Sequence, residues 1–146
     1  MSAIFQKIVA FIVSILAFLG ININIEKPDV DVRGDGYEYS IDFEDREIDI
    51  EFPSNPTTGY AWSYKLDGTA LVLTKDEYDA DDNPFGIAGK GGKQEYEFRA
   101  VAPGDVTLEF TYARSGENGD IGNVFVVKIN VNANYEISVV SFDKIK

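Results

Sequence analysis

The stretch YEYSIDFEDREIDIEFPSNPTTGYAW, residues 37–62, decides how the chain folds. Tyr37, Tyr39, Ile41 and Phe43 recur at every second position, and so do Ile48, Ile50 and Phe52, with Glu47, Asp49 and Glu51 between them. A period of two puts alternate side chains on opposite faces, the pattern of half-buried strands. The rhythm then breaks. Two prolines, an asparagine, two threonines and a glycine crowd into residues 53–59, directly before a segment in which Tyr60, Trp62, Tyr64 and Leu66 again share a face. Two strands, a stiff loop and a third strand are the local reading.

Working outward, the same alternation recurs in ALVLT (70–74), QEYEFRA (94–100), VTLEFTY (106–112), VFVVKINV (124–131) and YEISVVSF (135–142). Eight short strands separated by turn residues predict an all-β fold, a β-sandwich over residues 36–146, and a tryptophan on the third strand is what an immunoglobulin-like sandwich often has. Trp62, on the third of these strands, is expected in its core. The chain has no cysteine, so no inter-sheet disulfide can accompany the tryptophan, and stability must come from apolar burial and ladder hydrogen bonds. The segment INIEKPDVDVRGDG, broken by Pro28 and two glycines, reads as a linker over residues 23–35 or as a loose first strand.

Residues 8–21, IVAFIVSILAFLGI, carry no charge and follow Lys7. Such a run is short for a helical span and suits the apolar region of a signal peptide. The small-residue pair of a cleavage site is poor, because Ile15 stands two positions before Ala17 and Phe18 two before Gly20. Residues 1–22 are therefore expected to be a signal peptide or a membrane anchor, with membrane attachment through residues 8–25 and a secreted or cell-envelope location.

Composition excludes more than it suggests. Without cysteine or histidine the chain cannot form a thiol nucleophile, a Ser-His-Asp triad or a zinc site of the usual kind. Its acidic residues mostly occupy the outward positions of alternating strands, so no enzymatic activity and no cofactor are expected. A net charge of −12 repels phosphate backbones, which argues against a nucleic-acid partner.

The loop itself is built for restriction. Pro53 has no N–H to give a ladder, Asn55 can bond its own backbone, Pro56 fixes φ, Thr57 and Thr58 are stiff at χ1, and Gly59 allows φ > 0. A plain connection needs less. A loop that is ordered before binding loses less entropy on association and suits insertion into a narrow cleft.

NPTTGYAW, residues 55–62, resembles the signature of the chagasin-type inhibitors of papain-like cysteine peptidases, and residues 36–131 can be laid along that family's pattern. The resemblance implies an immunoglobulin-like sandwich that closes a peptidase cleft reversibly with three loops from one end. It assigns peptidase contacts to Asn55, Pro56, Thr57, Thr58, Gly59 and Tyr60, with Thr58 and Gly59 nearest the catalytic cysteine. The family's second loop carries G-x-G-G before a strand, which corresponds here to Gly89, Gly91 and Gly92, glycines that would permit close approach. In the third, Arg114 is kept, while Ser115 and Gly116 stand where the family has a proline and a large aromatic residue; Glu117 and Arg114 remain as polar contacts. That departure leaves open a second reading, an immunoglobulin-like extracellular module with another protein partner.

Two further motifs compete for function. Asp79, Asp81 and Asn83 have the first spacings of a calcium loop, but Pro84 stands at the sharp-turn glycine and Lys90 at the bidentate glutamate, so a solvated acidic loop is expected over residues 76–86. Arg33, Gly34 and Asp35 spell an adhesion tripeptide, a short match in an expected linker.

Overall fold

The structure is a computed structural model that describes residues 3–21, 28–116 and 118–146. Nine strands follow a helix, α1 (Ala3–Phe18): β1 (Val30–Gly34), β2 (Tyr37–Asp42), β3 (Glu47–Ser54), β4 (Tyr60–Asp67), β5 (Leu71–Ala80), β6 (Gly92–Ala100), β7 (Gly104–Arg114), β8 (Ile121–Val131) and β9 (Ile137–Lys144). They form two antiparallel sheets, ordered β1-β2-β3-β6-β5 and β4-β7-β8-β9. Without the outermost β1 and β9, the orders β2-β3-β6-β5 and β4-β7-β8 are those of the ABED and CFG sheets of a seven-stranded immunoglobulin sandwich.

Alternation along the strands builds the core between the sheets. Ile48, Ile50 and Phe52 of β3 and Tyr96 and Phe98 of β6 are buried against Leu108 and Phe110 of β7 and Phe125, Val127 and Ile129 of β8. Phe52 lies at its centre, with ring centroids 4.2 Å from Trp62, 4.9 Å from Phe110 and 5.3 Å from Phe125. Such aromatic pairs add roughly 0.5–1.5 kcal/mol each beyond the area they bury. Trp62 belongs to this packing but is half-buried, because β4 is an edge strand; its indole N–H donates to Pro53 O at 2.9 Å.

Among the boundaries that differ from the sequence expectation three stand out, two arising from strand pairing and one from a local turn. Residues 30–34 form β1, in register with β2 from Val30↔Ile41 to Gly34↔Tyr37, so the loose first strand prevails over the linker there. Strand β5 continues to Ala80: after an irregularity between Leu73 and Lys75 it stays paired with β6 down to Ala80↔Gly92. The Lys75–Glu95 ion pair at 3.0 Å and the bond from Gln94 to Asp76 at 2.6 Å line this extension, which takes Asp76 to Asp79 out of the expected acidic loop. The last strand begins at Ile137 rather than Tyr135, since Tyr135 has φ 63° in a turn organised by the Asn132 side chain, which accepts from Asn134 N and Glu136 N at 2.9 Å each.

In α1, Ile8, Phe11 and Phe18 are exposed. Among the described residues no helix is long and apolar enough to cross a membrane. The expected anchor extension through Ile23 and Ile25, the first part of the linker and Glu117 lie outside the described residues.

Candidate functional site

The connections β3–β4, β5–β6 and β7–β8 meet at one end of the sandwich. Ser54, at the end of β3, is buried, and from Asn55 the chain turns outward into a 3-10 turn over Pro56–Thr58. Asn55 caps it: its Oδ1 accepts from Thr57 N at 3.3 Å and Thr57 Oγ1 at 2.6 Å, while its carbonyl accepts from Thr58 N at 3.1 Å and Thr58 Oγ1 at 2.7 Å. Gly59 closes the turn with φ 84°, and its N–H donates to Pro56 O at 3.0 Å. A left-handed residue here favours glycine, since other L-residues meet a steric penalty. Both threonine hydroxyls are thus committed within a loop whose residues Pro56 to Gly59 are exposed.

Each neighbouring element braces this tip. The Asn55 N–H donates to the Tyr112 hydroxyl at 3.0 Å, and Tyr112 stacks against Tyr60 and Trp62 with centroids 5.3 and 4.9 Å away. Tyr60 pairs with Arg114 across β4 and β7, and the Arg114 guanidinium lies 4.9 Å from the centroid of the Tyr60 ring, a cation–π arrangement. A Cβ on Gly59 would lie 3.8 Å from Arg114 Cγ. From the other side Asn55 Nδ2 donates to Gly89 O at 2.7 Å. Asn55 to Tyr60, Gly89 and Arg114 therefore form one continuous surface.

The glycines of the second loop divide by role. Gly89, with φ 75°, is exposed beside Thr57. Gly92 is buried, and a Cβ there would overlap the carbonyl oxygen of Asp79; one on Gly91 would sit 2.8 Å from Ser54 O. The close approach these two permit is that of the chain's own β3 and β5.

In the third loop the Arg114 N–H donates to Asp120 O at 3.0 Å and Gly119 N to Gly116 O at 3.1 Å. Gly116 has φ 122°, where any side chain would be strained, and a Cβ on Gly119 would overlap Arg114 O. Position 116 is thus held as glycine by backbone conformation, which the sequence pattern alone does not reveal. Tyr112 is the supporting residue that sequence reading misses: its place in an alternating strand resembles any core tyrosine, and its role depends on a contact 57 residues away.

The calcium reading is not supported by the placement of its residues. Asp79 lies on β5 opposite Lys93, the Asn83 side chain is committed to the N–H and carbonyl of Ile87, and the Lys90 ammonium donates to Asp82 O. Arg33 lies in β1 with its guanidinium 3.5 Å from Glu38, so the adhesion tripeptide spans a hairpin rather than a linker. A different acidic group lies on the outer face of the first sheet, where oxygens of Asp49, Glu51 and Glu95 come within 4.8 Å of one another. Burial, then a hydrogen bond to Glu95 and the charges of Glu95, Glu51 and Glu97, pushes the Asp49 carboxyl up to about 8; the same hydrogen bond, together with Lys75, holds Glu95 low. Asp49 Oδ1 is buried with no donor facing it, which favours the protonated form. A raised Asp49 carboxyl has correspondingly less charge to offer a cation.

Comparison with known proteins agrees with this architecture. Residues 44–131 match the family described as Chagasin family peptidase inhibitor I42. Amoebiasin-1 of Entamoeba histolytica is 32% identical over 88 residues, 60% of this chain and 82% of that protein. Amoebiasin-2 of the same organism is 32% identical over 72 residues, 49% of this chain, and chagasin of Trypanosoma cruzi is 30% identical over 73 residues, 46% of this chain. These two matches span 58% and 64% of the relatives' own lengths. A crystal structure of a cysteine protease inhibitor from Entamoeba histolytica superposes with a TM-score of 0.52 at 25% identity, over 59% of this chain and 78% of that one. The family is one of peptidase inhibitors, not of enzymes, and with its matched region running from the β2–β3 turn to the end of β8, this chain belongs to the chagasin family.

Proposed function

We propose that this protein is a reversible, non-covalent inhibitor of papain-like cysteine peptidases, which it blocks by filling the active-site cleft with the three loops at one end of its sandwich. The observation that carries the proposal is the bracing of the Asn55–Gly59 turn by Gly89 on one side and by Tyr60 and Arg114 on the other. A turn whose hydrogen bonds are already made loses little conformational freedom on entering a cleft. Pro56, Thr57, Thr58 and Gly59 form the wedge over the catalytic cysteine, with Thr58 and Gly59 nearest it, while Gly89 and Arg114 meet the cleft walls. Gly91 and Gly92 act by letting β5, β6 and Asn55 pack closely beneath the wedge. The chain supplies no cysteine or histidine to the chemistry, so occlusion suffices and the complex dissociates intact. Titration of papain and of a cathepsin L-type peptidase tests this; no inhibition at micromolar concentration refutes it.

The exposed apolar side chains of α1 favour export or attachment to a membrane surface through residues 8–25. N-terminal sequencing of the mature protein separates the two: a start after residue 20 means a cleaved signal, and an intact Met1 or Ser2 an anchor.

A further inference from the structure

The wedge presents only proline, threonine and glycine to solvent, and residues 115–120 of the third loop, SGENGD, contain no apolar side chain. Ile121 at the start of β8 is 47% exposed, at the foot of that loop. The second loop is different. Phe85 is 88% exposed and Ile87 is 59% exposed.

These two side chains sit on an organised turn. Asn83-Pro84-Phe85-Gly86 has asparagine at the first position, proline at the second and glycine at the fourth, the residue preferences of a type I turn. Gly86 N donates to Asn83 O at 3.1 Å. The Asn83 side chain then clamps the following residue twice, accepting from Ile87 N at 2.8 Å and donating to Ile87 O at 2.9 Å. Behind it Lys90 donates to Asp82 O and Asp81 N to Gly91 O at 3.1 Å. Two residues beyond Ile87, Gly89 O accepts the bond from Asn55, so the turn is joined to the wedge. Two large apolar side chains held in water on an ordered turn, joined to the wedge through Gly89, are suited to burial by the partner that the wedge meets.

We infer that Phe85, with Ile87 beside it, is the apolar anchor of this inhibitor, entering an apolar pocket in the wall of the peptidase cleft and setting which peptidases are bound tightly. The inference rests on the inhibitor reading above and adds a specificity-determining residue to it. Burial of one phenylalanine ring corresponds to roughly tenfold to a hundredfold in affinity.

The test measures inhibition constants and dissociation rates of the full chain, Phe85→Ala, Phe85→Leu and Ile87→Ala against papain and a cathepsin L-type enzyme, with melting temperatures alongside. Phe85→Ala should weaken inhibition of at least one enzyme by about tenfold or more, mostly through faster dissociation, with its melting temperature unchanged. Phe85→Leu should recover much of the loss, and the ratio of the two inhibition constants should change. If the unaltered chain inhibits and Phe85→Ala inhibits both enzymes equally well, the anchor is refuted while the inhibitor reading stands. If the unaltered chain inhibits neither, both fall. A marked drop in the melting temperature of Phe85→Ala would mean that the ring packs internally, and would also overturn the inference.

Discussion

The Asn55 side-chain amide donates to the backbone carbonyl of Gly89 at 2.7 Å, across 34 residues of sequence. The same side chain caps the 3-10 turn through its other atom, so one residue both shapes the first loop and fastens it to the second. Replacing Asn55 with alanine removes both functions. Loss of a cap costs about 0.5–2 kcal/mol. Inhibition should fall by more than the change in melting temperature suggests, because the wedge must then be ordered on binding; parallel thermal melts and inhibition titrations of Asn55→Ala check this.

Thr58 is exposed at the tip, and its hydroxyl makes a local bond to Asn55 O. A Thr58→Arg variant should lose that bond at a cost of about 0.5–1.5 kcal/mol, shifting the melting temperature by a few degrees at most. Its inhibition of papain should vanish at concentrations where the parent is saturating. Retained inhibition would mean that the tip is not the part that enters the cleft.

An aromatic residue placed in the third loop separates position from chemistry. Gly116→Trp forces a side chain onto φ 122° and should destabilise the hairpin by about 1–3 kcal/mol. Ser115→Trp avoids this penalty, since Ser115 is exposed and is not among the residues of positive φ. If the third loop touches the peptidase wall, Ser115→Trp should tighten inhibition while Gly116→Trp lowers the melting temperature.

Gly92 offers a test of the glycine pair beneath the wedge. A methyl group there meets the backbone of Asp79 and Ala80, which cannot move without breaking the β5–β6 ladder. Gly92→Ala should therefore lower stability by about 1–3 kcal/mol, measured by denaturant unfolding, whereas alanine at exposed Gly89 should cost about 1–2 kcal/mol from its φ of 75° alone.

The raised carboxyl of Asp49 makes stability depend on pH. The folded Asp49 carboxyl is raised to about 8 from 3.8, so the native state holds a proton that the unfolded chain has released. The contribution of this group to stability should then be fully present below about pH 4 and decline as pH rises to about 8. Asp49 and Glu95 are partly exposed and the low value of Glu95 opposes the trend, which brings the expected loss to about 1–2 kcal/mol. Asp49→Asn keeps a neutral hydrogen-bonding group that does not titrate, so in urea melts its stability relative to the parent should be higher at pH 9 than at pH 4.

Features that depend on near neighbours are legible in the amino-acid sequence itself. The period of two in residues 37–52 specifies strands whatever they pair with, and Asn55, Pro56 and Gly59 specify a stiff turn, because φ restriction and capping act within three or four residues. The likeness of NPTTGYAW to an inhibitor family is local for the same reason. Features that depend on a partner strand are not legible there. Tyr112 supports Asn55 from 57 residues away, Gly92 is glycine because Asp79 passes over it, and β5 runs on to Ala80 because β6 continues beside it. Asp49 is an ordinary outward-facing acid in the alternation of β3, with Glu51 two residues along the same face; only sheet packing buries it and brings Glu95 of β6 beside it, which raises its carboxyl. Local sequence thus determined which segments are strands and which loop is rigid, whereas the meeting of three loops in one surface, and the burial and charge of the residues beneath them, were decided by pairings between segments far apart in the chain.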